Sequence, residues 1–358
     1  MLLTACGDAS APAPTAPTAP ATPTTPAPDV RALPYAFPAT GGAWSTVSAA
    51  ALGWDTTALA ATLEWAGTQK STALIVAWRG RIVAERYWRG WTPEKDSIIA
   101  SAGKSVLAAV VGQLQDEGRL RLDAPVSQYL GTGWSRSPST EGGITVRHLL
   151  QMTSGLNDSL QAVVAPGTRF YYNNPAYYQL FAVVVRVTGQ DINTATRSRL
   201  FTPIGMAGTW RFNVDLGEPG FVLSTTARDM ARFGHLVLAR GRWNGTPVVD
   251  SAWVTQMLRA GPPDNGAYGM LWWLNGSNGV RLPGPYQFPT MPGMLVPSAP
   301  RDLVAALGKG DKKIYVVPSL DLVVVRHGEE ADVAGGNPLA VSAFDEQLWQ
   351  RLRAAIRY

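Results

Sequence analysis

Between Ser10 and Pro28 the chain carries seven prolines in a run otherwise made of Ala, Thr and one Ser. Such a tract has no large apolar side chains to bury and few backbone donors, so it reads as an extended, semi-rigid spacer. Whatever folds must therefore lie after it. Hydrophobic residues make up 46% of the 358 and charged ones 16%, enough to fill a substantial core. The longest apolar runs, Val106 to Val111 and Leu180 to Val185, fall far short of the 18 or so residues that cross a bilayer. The 13 Trp, spread from Trp44 to Trp349, keep no fixed spacing, which argues against a repeat architecture. The single cysteine, Cys6, forms no internal disulfide, and no Cys/His cluster or HExxH string offers a metal site. The 31 Lys and Arg against 26 Asp and Glu are scattered, and the nearest approach to a basic run, Arg351 to Arg357, is the face of a terminal helix. A nucleic-acid partner is not expected.

From Asp55 the pattern turns regular. Asp55 is placed to cap a helix through about Thr68, and Ala73 to Trp78 with Arg81 to Trp88, parted by Gly80, reads as a β-hairpin. A helix is expected from Ser101 to Gly118, with Leu107, Val111 and Leu114 on one face. Helical patterns follow at Val146 to Met152, Pro175 to Thr188, Thr226 to Leu238 and Ser251 to Met257. Leu303 to Gly308, Lys313 to Pro318 and Leu320 to His327 read as successive strands, and Ser342 to Arg357 as a closing helix. Strands at both ends of the chain with helices between them predict an α+β plan: an antiparallel sheet flanked by helices, with a mostly helical region at about 120–265 inserted.

No GxSxG elbow is present, and His148, His235 and His327 each sit in an apolar pattern that suits a structural role, so a Ser-His-Asp triad is disfavoured. Ser101-Ala102-Gly103-Lys104 offers a different base. Residues three apart share a helix face, so Lys104 can hydrogen-bond Ser101 directly. Unpaired N–H groups at the helix start favour negative charge developing near the serine oxygen. As a base, the lysine has to be buried enough to lose its charge part of the time.

Three strings surround that motif: Ser97-Ile98-Ile99-Ala100-Ser101-Ala102-Gly103-Lys104-Ser105, then Asp116-Glu117-Gly118-Arg119-Leu120-Arg121-Leu122-Asp123-Ala124-Pro125-Val126, then Ile144-Thr145-Val146-Arg147-His148-Leu149-Leu150-Gln151-Met152-Thr153-Ser154-Gly155-Leu156. In this order they resemble the serine β-lactamase and penicillin-binding-protein-like family, with its esterases and 6-aminohexanoate-dimer hydrolases. The resemblance continues at Phe201 to Met206, Leu223 to Met230 and Tyr268 to Trp273, and spans about residues 45 to 355. It implies an antiparallel sheet with helices, a helical region, and a site between the two.

The family's YxN motif fits two registers here, Tyr171/Asn173 and Tyr172/Asn174; the second is chosen because F-x-Y-x-N-x-x-Y then places Phe170 and Tyr177 as well. The resemblance implies that Tyr172 moves protons with Lys104 and that Asn174 orients Lys104 and a substrate carbonyl. The third motif, usually Lys-Thr-Gly or His-Thr-Gly, falls on Ala306-Leu307-Gly308, so its cation is missing. What remains is backbone: Gly308 and Lys309, with the Ser101 N–H, are expected to form the oxyanion hole. By strand alternation, Lys309 is expected to point away from the face shared by Ala306 and Gly308. The Trp272-Trp273 pair is read as core packing, and the Gly- and Pro-rich stretch from Asn275 to Asp302 as a candidate lid.

The implied enzyme is a serine hydrolase that opens a small-molecule ester or amide through an acyl-enzyme on Ser101 and needs no cofactor. Without the third-motif cation, neutral acyl groups are expected to be better substrates than cephalosporins. Within hydrolases the alternative is a true β-lactamase or a DD-peptidase; from another class it is a non-catalytic cell-envelope binding protein on the same fold. Leu3-Thr4-Ala5-Cys6 resembles a bacterial lipobox. It implies lipidation at Cys6, a membrane-anchored protein outside the cytoplasm, and a start codon further upstream. Residues 1–29 are thus assigned to leader and linker, and 30–358 to the hydrolase domain.

Overall fold

In the computed structural model, which describes Met1 and residues 30–213, 220–333 and 341–358, the chain divides into two units, Met1–Leu33 and Pro34–Tyr358. In the first, Val30–Ala32 form a single 3-10 turn. In the second, Asp55 caps Thr56–Thr68 (α1) by accepting the Ala58 N–H at 2.9 Å. The hairpin follows as Ser71–Trp78 (β1) and Arg81–Tyr87 (β2). After the short strand Ser97–Ile98 (β3) comes Gly103–Asp116 (α2), buried at every position from Gly103 to Leu114. A helix enclosed on all sides needs apolar or small residues on every face, and α2 supplies them.

The middle of the chain contributes Ser127–Leu130 (α3), Val146–Leu150 (α4), Asn174–Thr188 (α5), Ile192–Thr196 (α6) and Thr202–Ile204 (α7). It also holds Thr209–Asn213 (β4) and Gly220–Thr225 (β5), which join β3 in an antiparallel sheet ordered β3-β5-β4. The apolar pattern does not announce this small sheet. Next come Ala227–Leu238 (α8), the hairpin Arg242–Trp243 (β6) and Thr246–Pro247 (β7), then Ser251–Met257 (α9). Trp273–Leu274 (β8), the paired Gly279–Val280 (β9) and Met291–Pro292 (β10), and Val304–Gly308 (β11), Lys312–Val317 (β12) and Leu322–Gly328 (β13) lead to Ala343–Ile356 (α10). No helix among the described residues is long and apolar enough to cross a membrane.

The main sheet runs β2-β1-β13-β12-β11-β8, all neighbours antiparallel, so the first and last strands of the unit meet at its centre. Alternation on β12 sorts the two faces. Ile314 turns to α8, while Lys313 and Tyr315 turn to α10. α8 lies so close that a Cβ on Gly234 would come 2.7 Å from Val323 and 2.9 Å from Ile314. Buried strands of this kind read as continuous apolar runs, which is why β1, β11 and β13 are legible from sequence.

The α10 face carries an exception. Lys313, fully buried, reaches Asp345 at 3.0 Å and Asp311 at 3.2 Å; Tyr315 donates to Asp345 at 2.6 Å. Buried Arg326 donates to the Asp311 carbonyl at 2.8 Å, the Gly310 carbonyl at 3.3 Å and Ser71 Oγ at 2.9 Å. Asp345 also belongs to the capping box that starts α10 at Ser342. A charge cluster so far from water persists only because each member is paired and hydrogen-bonded.

Candidate active site

Ser101 does not begin the α-helix as expected; it occupies a 3-10 turn, Ala100–Ala102, that runs into α2. The preceding Ala100 is held at φ +47°, a conformation that costs an L-residue about 1–2 kcal/mol. That turn still leaves Lys104 one turn beyond Ser101. The Lys104 Nζ donates to Ser101 Oγ at 2.9 Å, and the lysine is only 5% exposed. Its ammonium lies 4.5 Å from the ring centre of Tyr177 and 5.1 Å from that of Tyr172. The Tyr172 hydroxyl also hydrogen-bonds Ser101; burial pushes its pKa up, and that hydrogen bond works against the rise. Tyr172 therefore stays protonated at neutral pH.

These groups open into a cavity of about 520 Å³ that Asn174, Tyr171, Tyr178, Phe221, Asp158 and Lys309 also line. Of the two YxN registers, the structure puts both Tyr172 and Asn174 on the cavity wall. Asn173 instead caps α5: it accepts the Ala176 N–H at 2.8 Å and donates to the Leu156 and Asn157 carbonyls at 2.7 and 2.9 Å. Asn174 Oδ1 is buried with no partner among the described residues. It is an acceptor waiting for a donor. Asn174, Tyr177 and Tyr178 sit at i, i+3 and i+4 on α5, a spacing that would have flagged all three as one face.

Across the cavity, β11 ends against the Ala100–Ala102 turn. A Cβ on Gly308 would lie 2.2 Å from the Ile99 carbonyl oxygen and 3.2 Å from the Ala102 nitrogen. Only glycine allows that approach. Strand alternation does not carry to Lys309, because β11 stops at Gly308 and Lys309 enters the turn to β12. Lys309 is exposed and stands, with Ser101, among the residues that line the cavity. The same turn is gripped from behind by Arg326, through the Gly310 and Asp311 carbonyls.

The cavity's remaining wall comes from the stretch read in the sequence as a candidate lid. Within the Asn275 to Asp302 stretch, Pro283, Gly284 and Pro285 line the cavity, and the next residue, Tyr286, ties them down. Tyr286 stacks on Tyr171 with ring centres 4.2 Å apart, donates to the Leu156 carbonyl at 2.9 Å, and accepts from Arg169 and Arg281 at its own carbonyl. All of these but the Arg281 contact link residues more than a hundred positions apart, which no local pattern reports.

The histidines stand elsewhere. His148 closes the α4 capping box, accepting from the Thr145 N–H. His235 packs among Tyr35, Phe37 and Trp243, where burial pulls its pKa down to about 4. His327 lies beside Thr72 and Trp91, and burial holds it at about 4 too. None of the three lines the cavity. Trp272 is core, beside Phe233, and Trp273 stacks behind Tyr172. Cys6 lies outside the described residues.

The beta-lactamase family profile matches residues 56–327, most of the chain. The chain is 25% identical to 6-aminohexanoate-dimer hydrolase from Paenarthrobacter ureafaciens over a match covering 59% of this chain and 66% of that protein, just under two thirds of its length. Among solved structures, a beta-lactamase from Mycobacterium bovis superposes with a TM-score of 0.62 at 22% identity, covering 83% of this chain and all of that one. A penicillin-binding protein homologue from Caulobacter crescentus gives 0.64 at 15% identity, covering 84% of this chain and 97% of that one. With the family profile spanning the sheet, the nucleophile turn and the helical region together, the chain belongs to the beta-lactamase family and has the fold of beta-lactamases and penicillin-binding proteins.

Proposed function

We propose that this protein is a serine hydrolase that cleaves an ester or amide through an acyl-enzyme on Ser101. The observation that carries the reading is the 2.9 Å hydrogen bond between Lys104 and Ser101 at the cavity floor. In its neutral form Lys104 takes the Ser101 proton as Oγ attacks the substrate carbonyl. The N–H groups of Ser101 and Lys309 hold the resulting oxyanion, with Gly308 allowing the strand to come close enough. Tyr172, hydrogen-bonded to Ser101, passes a proton to the departing alkoxide or amine. Asn174 Oδ1 has the geometry to receive a substrate N–H or to orient Lys104. Water then attacks the acyl-enzyme, its proton passes by way of Lys104 and Tyr172 to Ser101 Oγ as the acyl–oxygen bond breaks, and the acid departs from a restored Ser101.

The relative that hydrolyses 6-aminohexanoate dimers supports amide cleavage. A second reading, turnover of β-lactams, is favoured by one feature: Lys309, an exposed lysine among the cavity-lining residues, would offer a cation to a carboxylate-bearing substrate. Esters, amides and a chromogenic cephalosporin assayed on one preparation separate the two. A fluorophosphonate probe tests the nucleophile: labelling maps to Ser101 and vanishes in Ser101→Ala, whereas labelling elsewhere contradicts the reading. A non-catalytic binding protein would take no label. Lipidation at Cys6 and a place in the cell envelope rest on Leu3-Thr4-Ala5-Cys6 and the proline spacer behind it. Labelled palmitate, incorporated by the wild type expressed from an upstream start and lost in Cys6→Ser, is the corresponding test.

A further inference from the structure

Lys309, whose N–H is the second oxyanion donor in the proposed reaction, belongs to a turn, Lys309 to Asp311, closed by the Gly308–Lys312 pair of β11 and β12. Two of the turn's residues hold positive φ: Gly310 at +74° and Asp311 at +58°. Glycine adopts that conformation freely and aspartate only at a cost, so backbone freedom alone would be better served by glycine at both positions. Asp311 brings something else. Its carboxylate, in a residue only 4% exposed, accepts the Ser342 hydroxyl at 2.6 Å and the Ala331 N–H at 2.9 Å, and lies 3.2 Å from the Lys313 Nζ. Burial acts to raise its pKa, but Lys313 and these hydrogen bonds outweigh burial and hold it below the usual carboxylate range. Asp311 is therefore an anion at neutral pH.

The backbone beside it is held as well. One guanidinium nitrogen, Arg326 Nη1, donates to the Asp311 carbonyl at 2.8 Å and to the Gly310 carbonyl at 3.3 Å, while the rest of that group is fixed by Ser71 Oγ and the Gln69 carbonyl. None of these anchoring residues lines the cavity; the turn's cavity-lining member is Lys309. The anchors thus converge, from behind, on the two residues that follow a proposed oxyanion donor. Preorganised donors stabilise an oxyanion because they need not move as its charge develops, and a displacement of about 1 Å can cost about 10²-fold in rate. We infer that Asp311 is a positioning residue: it clamps the β11–β12 turn so that the Lys309 N–H stays where the oxyanion forms as Ser101 attacks. This inference rests on the hydrolase reading and names a residue on which its oxyanion hole depends.

The test is a series at one position. Asp311→Asn keeps an acceptor oxygen and tolerates the left-handed conformation, Asp311→Gly frees the backbone and removes every side-chain anchor, and Asp311→Ala removes the anchors and leaves the backbone strained. Two readouts do not depend on how much of the enzyme is folded. One is the first-order burst rate with saturating p-nitrophenyl butyrate. The other is the inhibition constant of butylboronic acid, whose tetrahedral adduct on Ser101 puts an oxygen where the oxyanion forms. Asp311→Gly and Asp311→Ala should slow the burst by about 10- to 100-fold and weaken boronate inhibition by about tenfold or more, with a smaller loss in Asp311→Asn. An anchor that served stability alone would lower the burst amplitude and move neither readout. An Asp311→Gly enzyme within about twofold of the wild type in either readout overturns the inference while leaving the hydrolase reading standing. Should Asp311→Gly and Asp311→Ala give no folded protein, Asp311→Asn and Ser342→Ala carry the same two measurements, and wild-type values in both variants overturn it. If the wild type takes no butyryl group on Ser101, the hydrolase reading falls and this one with it.

Discussion

In the proposed reaction the α2 side of the cavity contributes side chains, whereas the β11 side contributes backbone. Lys104 and Tyr172 meet at Ser101 through hydrogen bonds, and the helix behind them is buried at every position from Gly103 to Leu114. The facing turn, Lys309 to Asp311, carries one exposed cation, and a buried charge cluster on the opposite face of the sheet holds it through the Gly310 and Asp311 carbonyls. A side-chain site tolerates any backbone that delivers its atoms. A backbone site tolerates no change in where the chain runs, so it needs a glycine at the contact and strong anchors behind it.

Four substitutions probe that contrast. Lys104→Ala should cost the most, about 10²- to 10⁴-fold in acylation rate with the fold retained, because it deletes the base outright; single-turnover kinetics and circular dichroism measure the two. An undiminished rate would move the base elsewhere. Gly308→Ala comes next. Its Cβ cannot fit 2.2 Å from the Ile99 carbonyl, so β11 must withdraw from the nucleophile turn, with a kcat loss of about 10²-fold, comparable to losing one oxyanion donor. If Gly308→Ala kept its rate, the backbone on this side would have no part in the reaction.

Asp345→Asn removes the anion that Lys313 and Tyr315 share, far from any substrate. Breaking a buried pair this way should lower stability by about 3–5 kcal/mol in denaturant titration. A matching fall in kcat at temperatures where the variant is still folded would tie the cluster to the oxyanion turn; unchanged kcat would make it a purely structural anchor. Ala100→Gly should have the smallest effect. Relief of the positive φ should add about 1 kcal/mol of stability, offset in part by the greater freedom of glycine in the unfolded chain.

The same contrast explains what could be read in advance. α1, α5, α8 and the strands β1, β11, β12 and β13 follow from periodic apolar residues and local caps, and appear within a few residues of expectation. Ser101 and Lys104 come from short-range spacing and Tyr172 and Asn174 from the family resemblance, and the structure does bring the four to one cavity. The β3-β5-β4 sheet was hidden because β3 is two residues long and its partner lies more than a hundred residues on. The Asp158–Tyr171–Tyr286 wall and the Lys313–Asp345–Arg326 cluster depend wholly on tertiary contacts between polar residues, which leave no periodic trace.

The central claim is that Ser101 carries the acyl group and Lys104 makes it reactive. Rapid mixing with p-nitrophenyl butyrate, acid quench and peptide mass spectrometry tests both halves at once. A burst of p-nitrophenol matched by a butyryl group on the Ser101 peptide is predicted for the wild type, with the burst rate falling about 10²-fold or more in Lys104→Ala. A butyryl group on any other residue, or a Lys104→Ala enzyme that acylates Ser101 at the wild-type rate, would contradict the account.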